Sequence, residues 1–407
     1  MATARLRIES IAAGGDGVAH SDGLAVFVPR TAPGDVVDAE LEPRGRFARG
    51  HLTAVVEPSP DRVEPPCVHY TRDRCGGCQI QHVRYDAQRA AKSRIIRDAI
   101  QRIGRRDAPA VDVRASPREW EYRTKLTLAL RWRRGEWVAG LHPYDHPDRV
   151  FQLEECLITD GRVVEIWRDV FRAAKLFPRV PRLRASVRVT DDGAAFVLEG
   201  GVHWPRATAF AERVPGLTTV WWDPEHGRRQ LVVDRRPVTV PDASFAQVNP
   251  SAAQLLREHV VATVMAYAPQ TVVDAYAGTG ATALPLAARG AVVIAIELDS
   301  AAVHWMNAQL RAPSRAVAAR VEDALAEALP ADIVILNPPR SGVDERVTTV
   351  LREAAVRAVV YVSCNPATLA RDLARMPNHR IASMHAFDMF PQTAHVETVC
   401  ELVPEAA

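Results

Sequence analysis

The sequence predicts a multidomain protein with a small N-terminal β-barrel at residues 1–60, a central α+β domain at residues 61–240 and a C-terminal α/β Rossmann-like domain at residues 241–407. Three observations predict this fold. The chain of 407 residues is longer than one domain of roughly 100–200 residues. Its first 60 residues alternate short β-branched runs with turn signals. From about residue 241, strand-like runs alternate with helical stretches.

The predicted barrel consists of runs such as "GLAVFVP" and "APGDVVDAEL", separated by glycine-rich turns. Short strands at this spacing are typical of a small β-barrel. The proline-rich stretch "EPSPDRVEPPC" marks the boundary to the central domain.

In the central domain, "EYRTKLTLALRW" has the period-two pattern of a half-buried strand. Its apolar side chains point to one side and its basic side chains to the other: Tyr122, Leu126, Leu128, Leu130 and Trp132 against Arg123, Lys125, Arg131 and Arg133. The basic side is either an ordinary solvated face or an RNA-facing surface, since regularly spaced cations on a sheet can follow a phosphate chain. The upstream stretch "DAQRAAKSRIIRDAIQRIG" predicts an amphipathic helix that buries its isoleucines, Ile103 included.

The C-terminal domain contains the runs "TVVDAY", "AVVIAIE", "ADIVILN" and "AVVYVSC". Their alternation with helices predicts a parallel sheet covered on both faces. Ligands of such sheets bind beyond the carboxyl ends of the strands. The residues at those ends are therefore the candidates for binding and chemistry.

The first of these ends continues into Tyr276-Ala277-Gly278-Thr279-Gly280, and Glu297 ends the next strand. Paired glycines let a backbone approach a ligand closely, and a carboxylate on the next strand can accept both hydroxyls of a ribose. The pair predicts a nucleotide-like cofactor. Alanine stands where a dinucleotide site has its third glycine, an allowed variant, so a nicotinamide cofactor remains open at this point.

A third strand ends in Asn337-Pro338-Pro339-Arg340. This resembles the loop of amino-group methyltransferases, in which an aromatic residue after the prolines stacks on the target base. Arg340 takes that position here, which argues against methylation of an exocyclic amine.

A fourth strand delivers Cys364 to its tip, directly before a helix. A free cysteine is commonly a small core residue, but helix N-terminal amides can stabilise a thiolate, so we interpret Cys364 as a nucleophile. Cys400 keeps the core interpretation. Glu397 is either a surface carboxylate or a catalytic base near the remaining strand end.

Four upstream cysteines, Cys67, Cys75, Cys78 and Cys156, suggest a metal site, because disulfides are the less expected use in a reducing cytosol. The Cys-Gly-Gly-Cys turn can direct two sulfurs at one centre. Spacing alone leaves zinc and an iron–sulfur cluster open.

Composition limits the partners. Net charge is +2, and no run approaches the ~20 apolar residues of a membrane span. The N-terminal "MATARLRIES" has no apolar signal region, so a cytoplasmic protein without membrane contacts is expected. Nearly all basic residues are arginines, which grip phosphates well, although a GC-rich genome accounts for much of this skew.

Taken together, separate motifs in order along nearly the whole chain resemble the RNA 5-methyluridine (uracil-5-) methyltransferase family. They are Cys67, Cys75-Gly-Gly-Cys78-Gln79, Trp120-x-Tyr122-Arg123-x-Lys125, Cys156, Phe245-x-Gln247-x-Asn249, Asn337-Pro-Pro-Arg340, Ser363-Cys364-Asn365-Pro366 and His395-Val396-Glu397. Within the family, the cysteine set resembles the iron–sulfur enzymes that act on 23S ribosomal RNA.

The resemblance implies an OB-like TRAM domain for the barrel, a [4Fe-4S] cluster in preference to zinc on the four upstream cysteines, and S-adenosylmethionine as methyl donor. It implies Cys364 as nucleophile and Glu397 as general base. The residues that it implies for cofactor binding are Gln247, Tyr276, Gly278, Gly280, Glu297 and Asn337.

The expected function is methylation of carbon 5 of a uridine in RNA, most naturally 23S ribosomal RNA, through a covalent adduct of Cys364 with carbon 6. Carbon 5 of uracil is a poor nucleophile, and a thiolate that adds at carbon 6 activates it. The alternatives are a transfer RNA uracil-5 methyltransferase, a C5-cytosine methyltransferase and a non-catalytic RNA-binding protein. A monomer is expected.

Overall fold

The computed structural model of the chain describes residues 2–190, 193–236 and 247–405, within which three sheets follow one another along the sequence. The predicted boundary near residue 240 and the motif residue Phe245 lie outside the described residues. In the described part, no helix is both long and apolar enough to cross a bilayer.

The first sheet has the strand order β1-β5-β6-β4-β3-β2 and encloses a small aliphatic core that includes Leu6, Val26 and Val37. Its strands are β1 Ala2–Arg7, β2 Ser10–Ile11, β3 Gly17–Ser21, β4 Leu24–Val28, β5 Val36–Pro43 and β6 Phe47–Glu57.

The second sheet has the order β13-β12-β11-β10-β8-β9 and is covered on one face by two helices. The elements from residue 68 to residue 234 are α1 Val68–Thr71, α2 Tyr85–Arg102, β7 Val113–Arg114, β8 Lys125–Arg133, β9 Glu136–Gly140, α3 Gly161–Arg172, β10 Arg182–Thr190, β11 Gly193–Glu199, α4 Ala207–Arg213, β12 Leu217–Asp223 and β13 Gln230–Asp234. As the period-two pattern predicts, Leu126, Leu128 and Leu130 are buried under α3 and α4. Trp132, predicted on the same face, is instead 41% exposed near the end of β8.

The third sheet has the order β16-β15-β14-β17-β18-β20-β19-β7. Its remaining elements are α5 Pro250–Met265, β14 Thr271–Ala275, α6 Ala283–Ala288, β15 Val292–Glu297, α7 Ser300–Asn307, β16 Arg315–Ala318, α8 Val321–Ala324, β17 Ile333–Leu336, α9 Glu345–Glu353, β18 Ala358–Ser363, α10 Pro366–Ala374, β19 His379–Phe387 and β20 Glu397–Pro404. The four predicted strands are confirmed as β14, β15, β17 and β18, and they pair in parallel.

Helices cover both faces of the third sheet. Successive strand residues point to opposite faces, so Val272 packs with α5, α6 and α7 while Val273 packs with α2, α9 and α10. This explains why the strands are hydrophobic throughout instead of alternating.

The strand order places a crevice at the carboxyl ends of β14 and β17. The chain proceeds from β14 to β15 and β16 on one side, whereas β17 and β18 lie on the other. At such a switch point the connecting loops diverge and leave room for a ligand.

The segment from 85 to 114 packs on the third sheet, although it lies within the range predicted for the central domain. β7 pairs with β19, and Ile96 and Ile100 of α2 join the core of that sheet. Ile103, predicted on the buried face, instead follows the helix end and is 47% exposed. The central range is therefore physically joined to the third sheet.

Candidate active site

Cys364 lies where β18 ends and α10 begins. Ser363 Oγ accepts a hydrogen bond from the Asn365 N–H at 3.2 Å, and the Asn365 side chain caps α10 by accepting from the Ala367 N–H at 3.0 Å. Pro366 stands in the first turn, where its missing N–H would have no helical partner. These residues end the strand and begin the helix. The half-buried Cys364 therefore lies at the carboxyl end of β18, between the two elements.

Glu397 lies opposite Cys364 because β20 runs antiparallel to β18. Ser363 pairs with Thr398, so the residue after Ser363 and the residue before Thr398 are neighbours at the same edge. Glu397 is only 4% exposed. Burial raises the pKa of Glu397 to about 8, and Arg340 opposes that rise.

Burial and, secondarily, Glu397 raise the pKa of the Cys364 thiol, while Arg340 again opposes the rise. The thiol is therefore protonated at neutral pH and must lose its proton before it can attack a carbon atom. Burial, followed by Arg340, lowers the pKa of nearby His395 to about 4, so its imidazole is neutral.

Arg340 thus supplies a positive charge to this edge, a role that the sequence interpretation missed. Its backbone carbonyl accepts from Asn365 Nδ2 and Thr368 Oγ1, both at 3.3 Å, so the start of α10 holds the loop in place. From sequence, Arg340 was interpreted as a replacement for an aromatic residue and as part of the family motif Asn337-Pro-Pro-Arg340, with no role assigned to its charge. Its place directly after a Pro-Pro strand end was the signal that could have identified it.

The loop after β14 is closed by Glu297. The Gly278 N–H donates to Glu297 Oε2 at 2.8 Å, and Oε1 accepts from the N–H groups of Leu298 and Asp299 at 2.8 and 3.0 Å. A carboxylate offers about four acceptor positions, so one position on Oε2 remains for a ligand hydroxyl.

The glycines of this loop adopt backbone conformations that other residues avoid, with φ of +57° at Gly278 and +84° at Gly280. A Cβ at Gly278 would meet nothing within 4 Å, so the space beside that backbone is open. A Cβ at Gly280 would lie 2.8 Å from Met306 Cγ. The loop therefore has open space for a ligand beside Gly278, while Gly280 packs tightly against Met306.

The other predicted cofactor residues are spread around the crevice. Tyr276 directly follows β14 in the left-handed conformation, and the exposed Asn337 follows β17, its N–H bonded to Ala275 O at 3.2 Å. Gln247 is half-buried just before α5. In the described part of the chain, it forms no hydrogen bond with Glu297 or Cys364.

Asp274 is a second residue whose environment the sequence did not reveal. It is 2% exposed at the end of β14, and burial raises its pKa to about 7 although the Ala283 N–H donates to it. Its Oδ2 has no partner among the described residues. A buried carboxyl with a free oxygen beneath the glycine loop is typical of a ligand-binding site.

The four upstream cysteines line one cavity of about 120 Å³. All four are free thiols. Burial raises the pKa of each, that of Cys75 to about 11. The Gly77 N–H donates to Cys75 Sγ at 3.4 Å, and Thr159 Oγ1 donates to Cys156 Sγ at 3.2 Å.

The four cysteines share the lining of this cavity. Across residues 2–190, 193–236 and 247–405, no group of three or more Cys, His, Asp or Glu side chains is close enough to hold a single metal ion. Four thiols around one cavity are a candidate ligand set.

Comparison with known proteins gives three consistent matches. Residues 312–403 match the family described as tRNA (Uracil-5-)-methyltransferase. An uncharacterized RNA methyltransferase of Thermosynechococcus vestitus is 34% identical over 98% of both chains. One of Halalkalibacterium halodurans is 30% identical over 97% of this chain and 95% of its own.

Among solved structures, the Pyrococcus abyssi tRNA (uracil-54, C5)-methyltransferase in complex with S-adenosyl-L-homocysteine superimposes with a TM-score of 0.71. It covers 98% of this chain and 99% of its own, at 23% identity. At this identity the likeness shows a shared fold across the full length.

Proposed function

Because the chain belongs to the RNA uracil-5 methyltransferase family, we propose that it methylates carbon 5 of a uridine in RNA through a covalent bond between Cys364 and carbon 6 of the base. One observation carries this proposal. Cys364 and Glu397 are neighbours on the side of the sheet where the parallel strands end, and the glycine loop after β14 lies on that same side. S-adenosylmethionine, when bound, supplies an electrophilic methyl group.

Cys364 acts first. After the thiol loses its proton, its sulfur bonds to carbon 6, and the electron pair of the 5,6 double bond moves toward carbon 4 and its oxygen. Carbon 5 thereby becomes nucleophilic enough to accept the methyl group. Arg340 favours the thiolate, because it is the cation that opposes the raised pKa of Cys364.

Glu397 completes the reaction. Its carboxylate removes the proton from carbon 5, the double bond re-forms, and the sulfur of Cys364 leaves carbon 6. The net products are the methylated base, the demethylated donor and one proton. A pKa of about 8 suits this role, since a general base works best when its pKa is near the operating pH.

The methyl donor fits the crevice between β14 and β17. Glu297 Oε2 can accept one ribose hydroxyl, and the open side of Gly278 lets the donor approach the backbone. Tyr276, Gly280 and Asn337 complete the proposed site, and Gln247 would reach it from the start of α5.

The RNA is proposed to lie on the uncovered basic face of the second sheet. Arg131 pairs directly with Arg182 across β8 and β10. Like charges opposite each other destabilise a sheet, so a polyanion that neutralises them would be favoured. Burial and, secondarily, Arg188 lower the pKa of Lys125 on the same face, whereas Glu199 opposes that fall. The first sheet would act as a TRAM-like RNA-binding barrel.

We also propose a [4Fe-4S] cluster on Cys67, Cys75, Cys78 and Cys156, supported by the cavity that the four cysteines share and by the family resemblance of the cysteine set. It would cross-link α1, the Cys-Gly-Gly-Cys turn and the segment before α3. Anaerobically purified protein should be brown and contain iron and acid-labile sulfide. Colourless protein with stoichiometric zinc would contradict this assignment.

The proposed substrate is 23S ribosomal RNA, because the cysteine set resembles that of enzymes acting on it. The specific alternative is transfer RNA, since the full-length structural neighbour acts on uridine 54 of tRNA. Methyl transfer from labelled donor to separated ribosomal and transfer RNA, followed by nucleoside analysis, tests both. Label in 5-methylcytidine, or no incorporation, would overturn the function itself.

A further inference from the structure

The segment from Asp388 to His395, which leads into the strand of Glu397, is bound by residues from distant parts of the chain. Lys92 Nζ donates to Asp388 Oδ1 at 2.6 Å and to Phe390 O at 3.0 Å, with both charged side chains fully buried. Tyr122 Oη donates to Pro391 O at 2.9 Å. A connecting segment with this many buried partners is held in one position.

Gln392 is the central residue of this segment. It is 2% exposed, and its backbone has a φ of +69°, a conformation that is costly for a residue with a side chain. Gln392 N–H donates to Gln88 Oε1, and Gln88 Nε2 donates back to Gln392 Oε1, both at 2.9 Å. This reciprocal amide pair compensates the buried polar groups and stabilises the strained conformation.

The carbonyl of Gln392 joins the same residue to the cysteine cavity. It accepts from the N–H groups of Gln79 and Ile80, both at 3.2 Å, and these residues directly follow Cys78. Gln79 Nε2 in turn donates to the Gly76 carbonyl at 2.9 Å. The turn that contains Cys75 and Cys78 is thus linked by hydrogen bonds to the Asp388–His395 segment, which precedes the proposed base Glu397.

We propose that Gln392 is a positioning residue that couples the Cys75–Ile80 turn to Glu397. The inference rests on the proposed roles of Glu397 and the four cysteines. Four residues separate Gln392 from Glu397, and of these Ala394 and Val396 are buried in two different cores, so a shift at Gln392 is transmitted along a packed segment. Release of the turn would displace Glu397, the first residue of β20, more than Cys364, because the start of α10 holds Cys364 in addition to β18.

The coupling predicts a defect in one step only. In Gln392→Ala, the covalent adduct of protein and RNA should form at a rate within about threefold of wild type. Its breakdown should slow on the order of 10- to 100-fold, since a displacement near 1 Å costs up to that much in rate. Gln88→Ala should behave alike, and the double variant should be no worse than either single one, because the pair acts as a unit.

The control is Val264→Ala, which removes buried volume from α5 on the far side of the sheet. It should lower stability comparably and leave adduct breakdown unchanged. The proposal is overturned if Gln392→Ala slows formation and breakdown equally, or if Val264→Ala traps the adduct as well. If no variant, Glu397→Gln included, gives an adduct, the covalent mechanism fails instead.

Hydrogen exchange of the wild-type protein tests the coupling without activity and without any variant. Removal of iron by a chelator should speed exchange at residues 388–396 as well as in the turn, with α5 unchanged. Faster exchange in the turn alone would refute the coupling. Protein isolated without iron would refute the proposed cluster, and the variants above would still decide the role of Gln392.

Discussion

The proposed chemistry depends on Cys364, Glu397 and Arg340, because burial and the charge of Arg340 shift the pKa values of the two acids in opposite directions. Burial disfavours the charged forms of Cys364 and Glu397, and Arg340 partly restores them. Without that cation the pKa values of both groups would rise further, and a smaller fraction of each would be charged near neutral pH. The arginine that follows Pro339 supplies this cation.

Replacement of the nucleophile should remove the reaction. Cys364→Ala is expected to abolish methyl incorporation and covalent adduct, because no other thiol faces Glu397 among the described residues. Cys400→Ala is the matched control: Cys400 lies fully buried on β20, and its substitution should cost about 1 kcal/mol of stability and no activity. Methylation at the wild-type rate by Cys364→Ala would contradict the mechanism.

Adduct breakdown should depend on pH through Glu397. Its carboxylate is the active form, and its pKa is raised to about 8, so breakdown should accelerate as pH rises toward 8 and level off above it. Arg340 lowers that pKa, so Arg340→Gln should move the midpoint to higher pH. Single-turnover decay of the isolated adduct between pH 6 and 10 measures both. A midpoint near 4.5, or one that moves down in Arg340→Gln, would exclude this role.

Among the secondary-structure elements, the turn after β14 requires glycine at position 280 most clearly. Gly280→Ala should raise the KM for S-adenosylmethionine by about tenfold, because a left-handed alanine costs about 1–2 kcal/mol and its Cβ would press on Met306. Gly23 has a similar φ of +77° and open space around it, so Gly23→Ala should lose stability without changing this KM. Equal KM values in the two variants would argue against a cofactor site here.

The elements that sequence could predict are those with local signals. The hydrophobic runs of β14, β15, β17 and β18 end in glycine, proline or polar residues, so both the strands and their tips were recognisable. The roles of Cys364 and Glu397 were expected, but the antiparallel β18–β20 pairing that makes them neighbours was not, because it joins strands 33 residues apart.

Long-range packing accounts for the other differences. Nothing local to residues 85–114 indicates that α2 and β7 complete the third sheet, since their partners follow more than 250 residues later. The charge of Arg340 on the reactive pair and the free oxygen of Asp274 likewise appear only once separate strand ends meet. In contrast, the leucine alternation of β8 predicted its buried face correctly.

Across the full chain, the basic face of the second sheet should determine RNA affinity. The double variant Lys125→Ala/Arg131→Ala should raise the KM for RNA and leave kcat within about twofold, and the salt dependence of binding should weaken by about one counterion per lost phosphate contact. Arg172→Ala removes an exposed cation from α3, which covers the opposite face, and should change neither. An unchanged salt slope in the double variant would place the RNA elsewhere.

The most direct measurement is peptide mass spectrometry of Glu397→Gln after incubation with RNA and S-adenosylmethionine. Without the carboxylate, the carbon 5 proton stays, so a methylated uridine should remain bonded to the peptide that contains Cys364. Methylated RNA released freely by this variant, or a nucleotide bonded to a different residue, would contradict the account.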